Sequence, residues 1–247
     1  MASRYLVANW KMNLPPEGIG PYLSVVGAAP SPDATIVIAP PFPYLREVTS
    51  QSKLAVAAQN CADKDKGAFT GEVSPGMIRD NGARYVIVGH SERRTIYGES
   101  DVVVARKLAV AQATGLVPIL CIGEELRTRD SGQVASFLAG QIRGAADAGL
   151  DSVTEIVLAY EPLWAIGTGR NASGVMCGDT VTFIRDALKR FWPAKLAGTP
   201  ILYGGSVTPE NVRDLETNGR IEGYLCGGAS LDSGRFLAIL RGMHRAA

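Results

Sequence analysis

A closed barrel of eight parallel β-strands, each followed by a helix, is the α/β fold this sequence predicts. Three observations lead to it. Eight short apolar runs rich in β-branched residues recur along the chain. Amphipathic helical patterns occupy the intervals, and polar or glycine-rich residues follow the C-terminal ends of the runs. A chain of 247 residues is long for one simple core but usual for a (β/α)8 barrel, so a single domain over residues 1–247 is expected.

The runs lie at residues 5–8, 35–39, 54–58, 85–88, 117–122, 156–160, 201–203 and 224–226. Most are uninterrupted rather than alternating, the pattern of parallel strands covered on both faces. Among the helices, Val104, Leu108 and Ala111 share a face before Gly115, and Val181, Ile184, Leu188 and Phe191 do so before Pro193. Thr208-Pro209-Glu210 combines a hydroxyl cap, a first-turn proline and an early acid, and predicts a helix start. Right-handed crossovers are satisfied most simply by a closed barrel, although an open doubly wound sheet fits the same local pattern. The strand-end residues favour the barrel. Asn9 and Lys11, Gln59 and Asn60, His90, Glu161, Gly204-Gly205-Ser206 and Gly227-Gly228 follow different runs, and a parallel barrel would gather them onto one rim.

Composition narrows the partners. There are 25 basic and 24 acidic residues, a net charge of +1, too small a field to gather nucleic acid or acidic lipid. Cys61, Cys121, Cys177 and Cys226 are widely spaced without a CxxC pair, and only two histidines could complete a metal site. Buried thiols in a reducing compartment are expected, with no metal. No window approaches the ~20 apolar residues needed to span a bilayer, and the start of the chain lacks a signal-peptide core. A cytoplasmic protein with no membrane association is the expectation.

His90 stands where Tyr85-Val86-Ile87-Val88 breaks through Gly89 into Ser91-Glu92-Arg93-Arg94, so an imidazole occupies the mouth of a buried strand. Ser91 and Glu92 suit a helical first turn, and the two arginines are costly near a core unless paired. His244, near the chain end, has no such context. Glu161 ends the sixth run and is followed by Pro162-Leu163-Trp164-Ala165-Ile166-Gly167-Thr168-Gly169. A carboxylate desolvated by an apolar segment makes a useful base. Proline at one end and glycines at the other suit a short rigid lid. Late in the chain, Tyr203-Gly204-Gly205-Ser206-Val207 and Cys226-Gly227-Gly228-Ala229-Ser230 place exposed amides between strand and helix, where a barrel's phosphate site is commonly built. Lys11 adds a mobile positive charge.

With Asn9-Trp10-Lys11-Met12-Asn13, the string from Gly89 to Arg94, Tyr160-Glu161-Pro162-Leu163-Trp164-Ala165-Ile166-Gly167-Thr168-Gly169 and the two glycine motifs in this order, the chain resembles the triosephosphate isomerase family nearly end to end. The resemblance implies a TIM barrel that interconverts dihydroxyacetone phosphate and glyceraldehyde 3-phosphate, in glycolysis and gluconeogenesis, with no metal or organic cofactor. It implies that Glu161 moves the proton between the two substrate carbons. It also implies that His90 polarises the carbonyl as a neutral imidazole, which in this family owes its lowered proton affinity to a helix N-terminus. Asn9 and Lys11 would bind substrate, Glu92 would hold Lys11, and Gly167, Ser206, Gly227 and Gly228 would offer amides to the phosphate. The turn Lys64-Asp65-Lys66-Gly67-Ala68-Phe69-Thr70-Gly71-Glu72 resembles the family loop that enters a second subunit, implying a homodimer in which Thr70 buttresses the partner's Lys11 and His90.

One departure concerns the lid. The family commonly opens the following helix with Thr-Pro, whereas Ser173-Gly174 and then Gly178 stand here, predicting a softer helix start. Three rival functions fit parts of the pattern. Gly167-Thr168-Gly169-Arg170-Asn171-Ala172 matches a relaxed dinucleotide fingerprint, but it lies beyond a sixth strand instead of directly after a first. A Schiff-base aldolase would use Lys11, and a non-catalytic barrel would need none of these residues.

Overall fold

The computed structural model describes residues 4–31, 33–166 and 172–243. Its strands are β1 (Arg4–Asn9), β2 (Ala34–Ala39), β3 (Ala55–Ala58), β4 (Tyr85–Val88), β5 (Val117–Ile122), β6 (Val157–Tyr160), β7 (Ile201–Tyr203) and β8 (Gly223–Cys226). They follow one another around the sheet in chain order, with parallel neighbours such as Ile87 beside Ile119 and Tyr160 beside Tyr203. β8 then pairs with β1, Cys226 opposite Ala8, and the sheet closes into the expected (β/α)8 barrel.

The alternation of side chains along each strand produces two apolar layers. Val7, Val37, Ile87, Ile119, Val157, Leu202 and Leu225 point inward and fill the barrel. Their neighbours Leu6, Ile38, Val86, Leu120, Leu158 and Tyr224 point outward and pack beneath the helices. Both sets are buried, which is why the sequence shows continuous runs and no polar alternation.

The covering helices are α1 (Ile19–Gly27), α2 (Leu45–Gln51), α3 (Pro75–Asp80), α4 (Ser91–Ile96), α5 (Asp101–Ala113), α6 (Leu126–Asp130), α7 (Val134–Ala146), α8 (Gly174–Phe191), α9 (Val212–Asn218) and α10 (Ser233–Met243). Val104, Leu108 and Ala111 of α5 are buried as the pattern predicts. Lys107 is buried with them because its ammonium meets Glu99 Oε1 at 2.5 Å and Asn60 Oδ1 at 2.8 Å. On α8, Val181, Ile184 and Leu188 are buried while Phe191 is only half-buried.

The helix start predicted at Thr208 is displaced, since α9 begins at Val212. Asn211 explains the shift: its Oδ1 accepts the Thr208 amide at 2.9 Å and its Nδ2 donates to the Ser206 carbonyl at 2.9 Å, closing residues 208–211 into a turn. Among the described residues, no helix is long and apolar enough to cross a membrane.

Candidate active site

β1 ends in Asn9, and its side chain shapes the turn beyond the strand. Asn9 Oδ1 accepts the backbone N–H of Lys11 at 3.1 Å, while Gln59 Nε2, just past β3, donates to the Lys11 carbonyl at 2.8 Å. Between these contacts Lys11 adopts φ 53°, a left-handed conformation costly for a residue with a Cβ. The strained turn aims the ammonium at Glu92 Oε1, 2.6 Å away.

β4 ends in Gly89, whose φ of 71° turns the chain into α4. Arg94 secures the turn. Its Nε donates to the Gly89 carbonyl at 2.8 Å, its Nη2 to the Cys121 carbonyl at 3.3 Å, and its Nη1 pairs with Asp101 at 2.6 Å. Arg93 pairs with Glu99 at 2.5 Å, so both arginines have the partners their position demands. His90 caps α4: its Nδ1 accepts the Glu92 amide at 3.2 Å, which places the proton of a neutral imidazole on Nε2.

Glu161 follows β6 and is 1% exposed. Its Oε1 lies 3.0 Å from His90 Nε2 and its Oε2 accepts the Ser91 amide at 2.8 Å. Burial disfavours its charge, but the His90 imidazole, its hydrogen bond, the Ser91 amide and Lys11 outweigh burial and hold the carboxyl below its ordinary range. Burial likewise disfavours imidazolium at His90, and the nearby Glu161 charge outweighs it and draws the pKa upward. This direction is opposite to the lowered proton affinity that the family resemblance implies, because in this arrangement the Glu161 carboxylate lies against Nε2; the Glu92 N–H aimed at Nδ1 works against the second proton but does not reverse the shift.

Asn9, Lys11, His90, Glu161, Ser206, Gly227 and Gly228 line one cavity of about 360 Å3, and Glu92 joins it through Lys11. Most of the strand-end residues thus converge as the barrel reading requires; Gln59 supports the Lys11 turn, and Asn60 does not line the cavity, its Oδ1 accepting instead from the buried Lys107 at 2.8 Å. Gly167 lies outside the described residues. The Ser206 amide donates to the Ala165 carbonyl at 3.1 Å, so in this arrangement it faces the protein and not an anion.

A model of the triosephosphate isomerase family matches residues 4–243. The chain is 45% identical to a triosephosphate isomerase of Thiobacillus denitrificans, covering 98% of each chain. It is 42% identical to one of Bacteroides fragilis, over 97% of this chain and 98% of the other, and 43% to one of Alcanivorax borkumensis, over 95% and 96%. The chain belongs to the triosephosphate isomerase family.

Three residues support this family member's site in ways that the sequence alone does not assign. Gln59 stands at a strand end with no role that its type suggests, yet it also donates to the Ala39 carbonyl at 2.8 Å and so joins β2 to the Lys11 turn. Arg94 is marked in sequence only as needing a partner. Glu124, after β5, is fully buried; its Oε1 accepts from Trp164 Nε1 at 3.0 Å, Arg129 Nε at 2.9 Å and the Tyr160 hydroxyl at 3.1 Å. With the Leu163 amide on the Glu124 carbonyl at 3.0 Å, this carboxylate moors the segment leaving Glu161. The strand-end rule that singles out the other residues also applies to it, in Ile122-Gly123-Glu124.

The far end of that segment differs from the expected soft start. Ser173 Oγ caps the Met176 amide at 3.2 Å, and the Gly174 amide donates to Asp214 Oδ2 of α9 at 2.6 Å. A proline at 174 would lack that N–H. The glycine therefore exchanges one form of rigidity for another.

Proposed function

We propose that this chain interconverts dihydroxyacetone phosphate and D-glyceraldehyde 3-phosphate by proton transfer through an enediolate, the isomerisation shared by glycolysis and gluconeogenesis. The observation that carries the reading is convergence: a buried carboxylate, an imidazole and an ammonium line one cavity with two glycine-rich loops. The family match over residues 4–243 supports the same reaction.

Glu161, as a carboxylate, accepts the carbon-bound proton beside the substrate carbonyl. The C–H electron pair becomes a carbon–carbon double bond, and the carbonyl electrons move to oxygen, giving the enediolate. His90 Nε2–H and the Lys11 ammonium stabilise that oxygen, with Asn9 beside them; each ~1.4 kcal/mol of such help is worth tenfold in rate. Return of the proton to the neighbouring carbon, with the hydroxyl proton changing oxygens, completes the isomerisation. A single Nε2–H cannot serve both Glu161 and a substrate oxygen, so substrate binding frees the carboxylate from its 3.0 Å contact. Glu92 holds Lys11 in place throughout.

Ser206, Gly227, Gly228 and Gly167 offer amides to the phosphate, Gly167 meeting it as the segment after Glu161 closes. Ser206 then exchanges the Ala165 carbonyl for the phosphate. Closure also keeps water from the enediolate, which would otherwise expel phosphate. An aldolase using Lys11 is less well supported, because the Lys11 amine is engaged by Glu92 at 2.6 Å instead of standing free to attack a carbonyl.

The working unit is a homodimer formed through residues 64–72. All nine are exposed, at the tip of a long loop whose base is closed by the Ala62 amide on the Val73 carbonyl. Met12 (93%), in the loop after β1, and Ile96 (70%) and Tyr97 (67%), at the end of α4, add exposed apolar surface. One domain over the chain is supported by β8 closing on β1, which leaves neither half with a complete sheet. Four unpaired buried cysteines favour the cytoplasm.

A coupled assay with glyceraldehyde 3-phosphate tests the function. Glu161→Gln should lower kcat about 10³-fold while leaving competitive inhibition by inorganic phosphate nearly intact. Wild-type turnover in the variant, or a borohydride-trapped imine on Lys11, would count decisively against it.

A further inference from the structure

The lining of the cavity includes a cationic residue that none of these roles uses. Arg235, in the first turn of α10, lines it together with Gly204, Gly205, Ser206, Thr208 and Ala229, on the glycine-loop side. Its backbone amide is capped by Asp232 Oδ1 at 2.7 Å, which occupies the nearest acid in sequence. Among the described residues no carboxylate forms an ion pair with its guanidinium. Its charge is felt weakly by Glu210, an exposed acid whose pKa is lowered by a Thr208 hydrogen bond and its own backbone, with Arg235 adding to the effect.

Charge balance makes this placement consequential. Lys11 is already neutralised by Glu92 at 2.6 Å, and Glu161 is an anion. Lys11, Glu92 and Glu161 together carry a net negative charge, which opposes a phosphate dianion, and among the described residues Arg235 is the lining cation whose charge is not already held in an ion pair. Backbone amides can orient a phosphate, but they cannot offset a whole charge.

We propose that Arg235 is a specificity residue for the phosphate dianion, attracting it to the glycine loops and strengthening its binding there. The inference rests on the triose phosphate reading above and assigns Arg235 no part in proton transfer.

Arg235→Gln and Arg235→Lys test it in the full-length protein, in phosphate-free buffer. The side chain is exposed and the Asp232 cap uses only backbone, so both variants retain the fold. Arg235→Gln should lower kcat/KM for glyceraldehyde 3-phosphate about three- to tenfold at low ionic strength, with kcat little changed. The deficit should shrink as salt shortens the screening length toward ~3 Å at 1 M. Inhibition by inorganic phosphate should weaken by a similar factor, Arg235→Lys should retain most of both, and the slow reaction of phosphate-free glyceraldehyde should not change. Equal phosphate inhibition and equal salt dependence in Arg235→Gln and wild type would overturn the proposal, as would an equal loss with glyceraldehyde. Should the wild-type chain fail to isomerise triose phosphate, the underlying reading falls, while calorimetric titration with inorganic phosphate still decides whether Arg235 binds the dianion.

Discussion

Glu161 sits where a carboxylate should be neutral, since nearly all of its surface is removed from water. Its neighbours reverse that tendency, and the reversal has a measurable linkage. A folded-state pKa below the ordinary carboxylate value of ~4.3 means that the unfolded chain binds more protons in acid. The stabilisation is therefore fully present above that ordinary value and is lost as pH falls through the lower, folded one. Urea midpoints measured down to pH 3 should fall more steeply for wild type than for Glu161→Gln, and parallel curves would show that the contacts to His90 and Ser91 do not set the pKa. At the thiols burial prevails over the opposing charges of Lys107 and Arg129, pushing Cys61 and Cys177 up to about 12. Native-state alkylation should accordingly be slow.

At the level of elements, the junction of α8 and α9 is the feature least expected from composition. Gly174 and Gly178 let the two helices approach closely: a Cβ at 178 would lie 2.2 Å from the Asn218 carbonyl oxygen, and one at 174 would lie 2.3 Å from that of Asp214. In an exposed helix Gly→Ala stabilises by about 1 kcal/mol. Here the obstructing atoms are backbone, so Gly178→Ala should instead destabilise by roughly 1–3 kcal/mol. Chemical denaturation decides the sign. A stabilised variant would mean that α9 yields readily, and the Asp214 clasp on Gly174 would then be a weak anchor for the segment that begins at Glu161.

Across the whole molecule, closure of the barrel assembles the site. β1 and β8 come from opposite ends of the chain, so Asn9, Lys11, Gly227 and Gly228 reach the cavity only once the barrel is complete. Folding of the site should therefore be cooperative with folding of the barrel. In the proposed homodimer the exposed loop of residues 64–72 would bring a second subunit into the same dependence. Phe69→Asp places a charge on a 45% exposed aromatic at its tip, and should shift sedimentation from dimer to monomer with at least about a tenfold loss of activity. A wild-type chain that sediments as a fully active monomer would remove the dimer from the account.

Strand positions are legible in the sequence because a parallel strand buried on both faces must be a continuous apolar run; residues 85–88, 117–122 and 201–203 coincide with β4, β5 and β7. Turns are less legible. The Thr208 signal is outweighed by the side chain of Asn211, three residues on, and the glycines of α8 suggest a loss of rigidity because their packing partners lie some 40 residues away in sequence. The chemical residues themselves, Asn9, Lys11, His90, Glu92 and Glu161, are recognisable from their types at strand ends and from the order of their motifs.

By itself, then, the amino-acid order determined the barrel, the family and the residues offered to its rim, since local periodicity and strand-end chemistry are properties of short segments. Only the tertiary structure decided the left-handed Lys11 held between Asn9 and Gln59, the 3.0 Å meeting of His90 with Glu161, the Asp214 clasp, and the presence of Arg235 in the cavity. Those are contacts between side chains far apart in the chain, and their distances come into being when the eighth strand closes on the first.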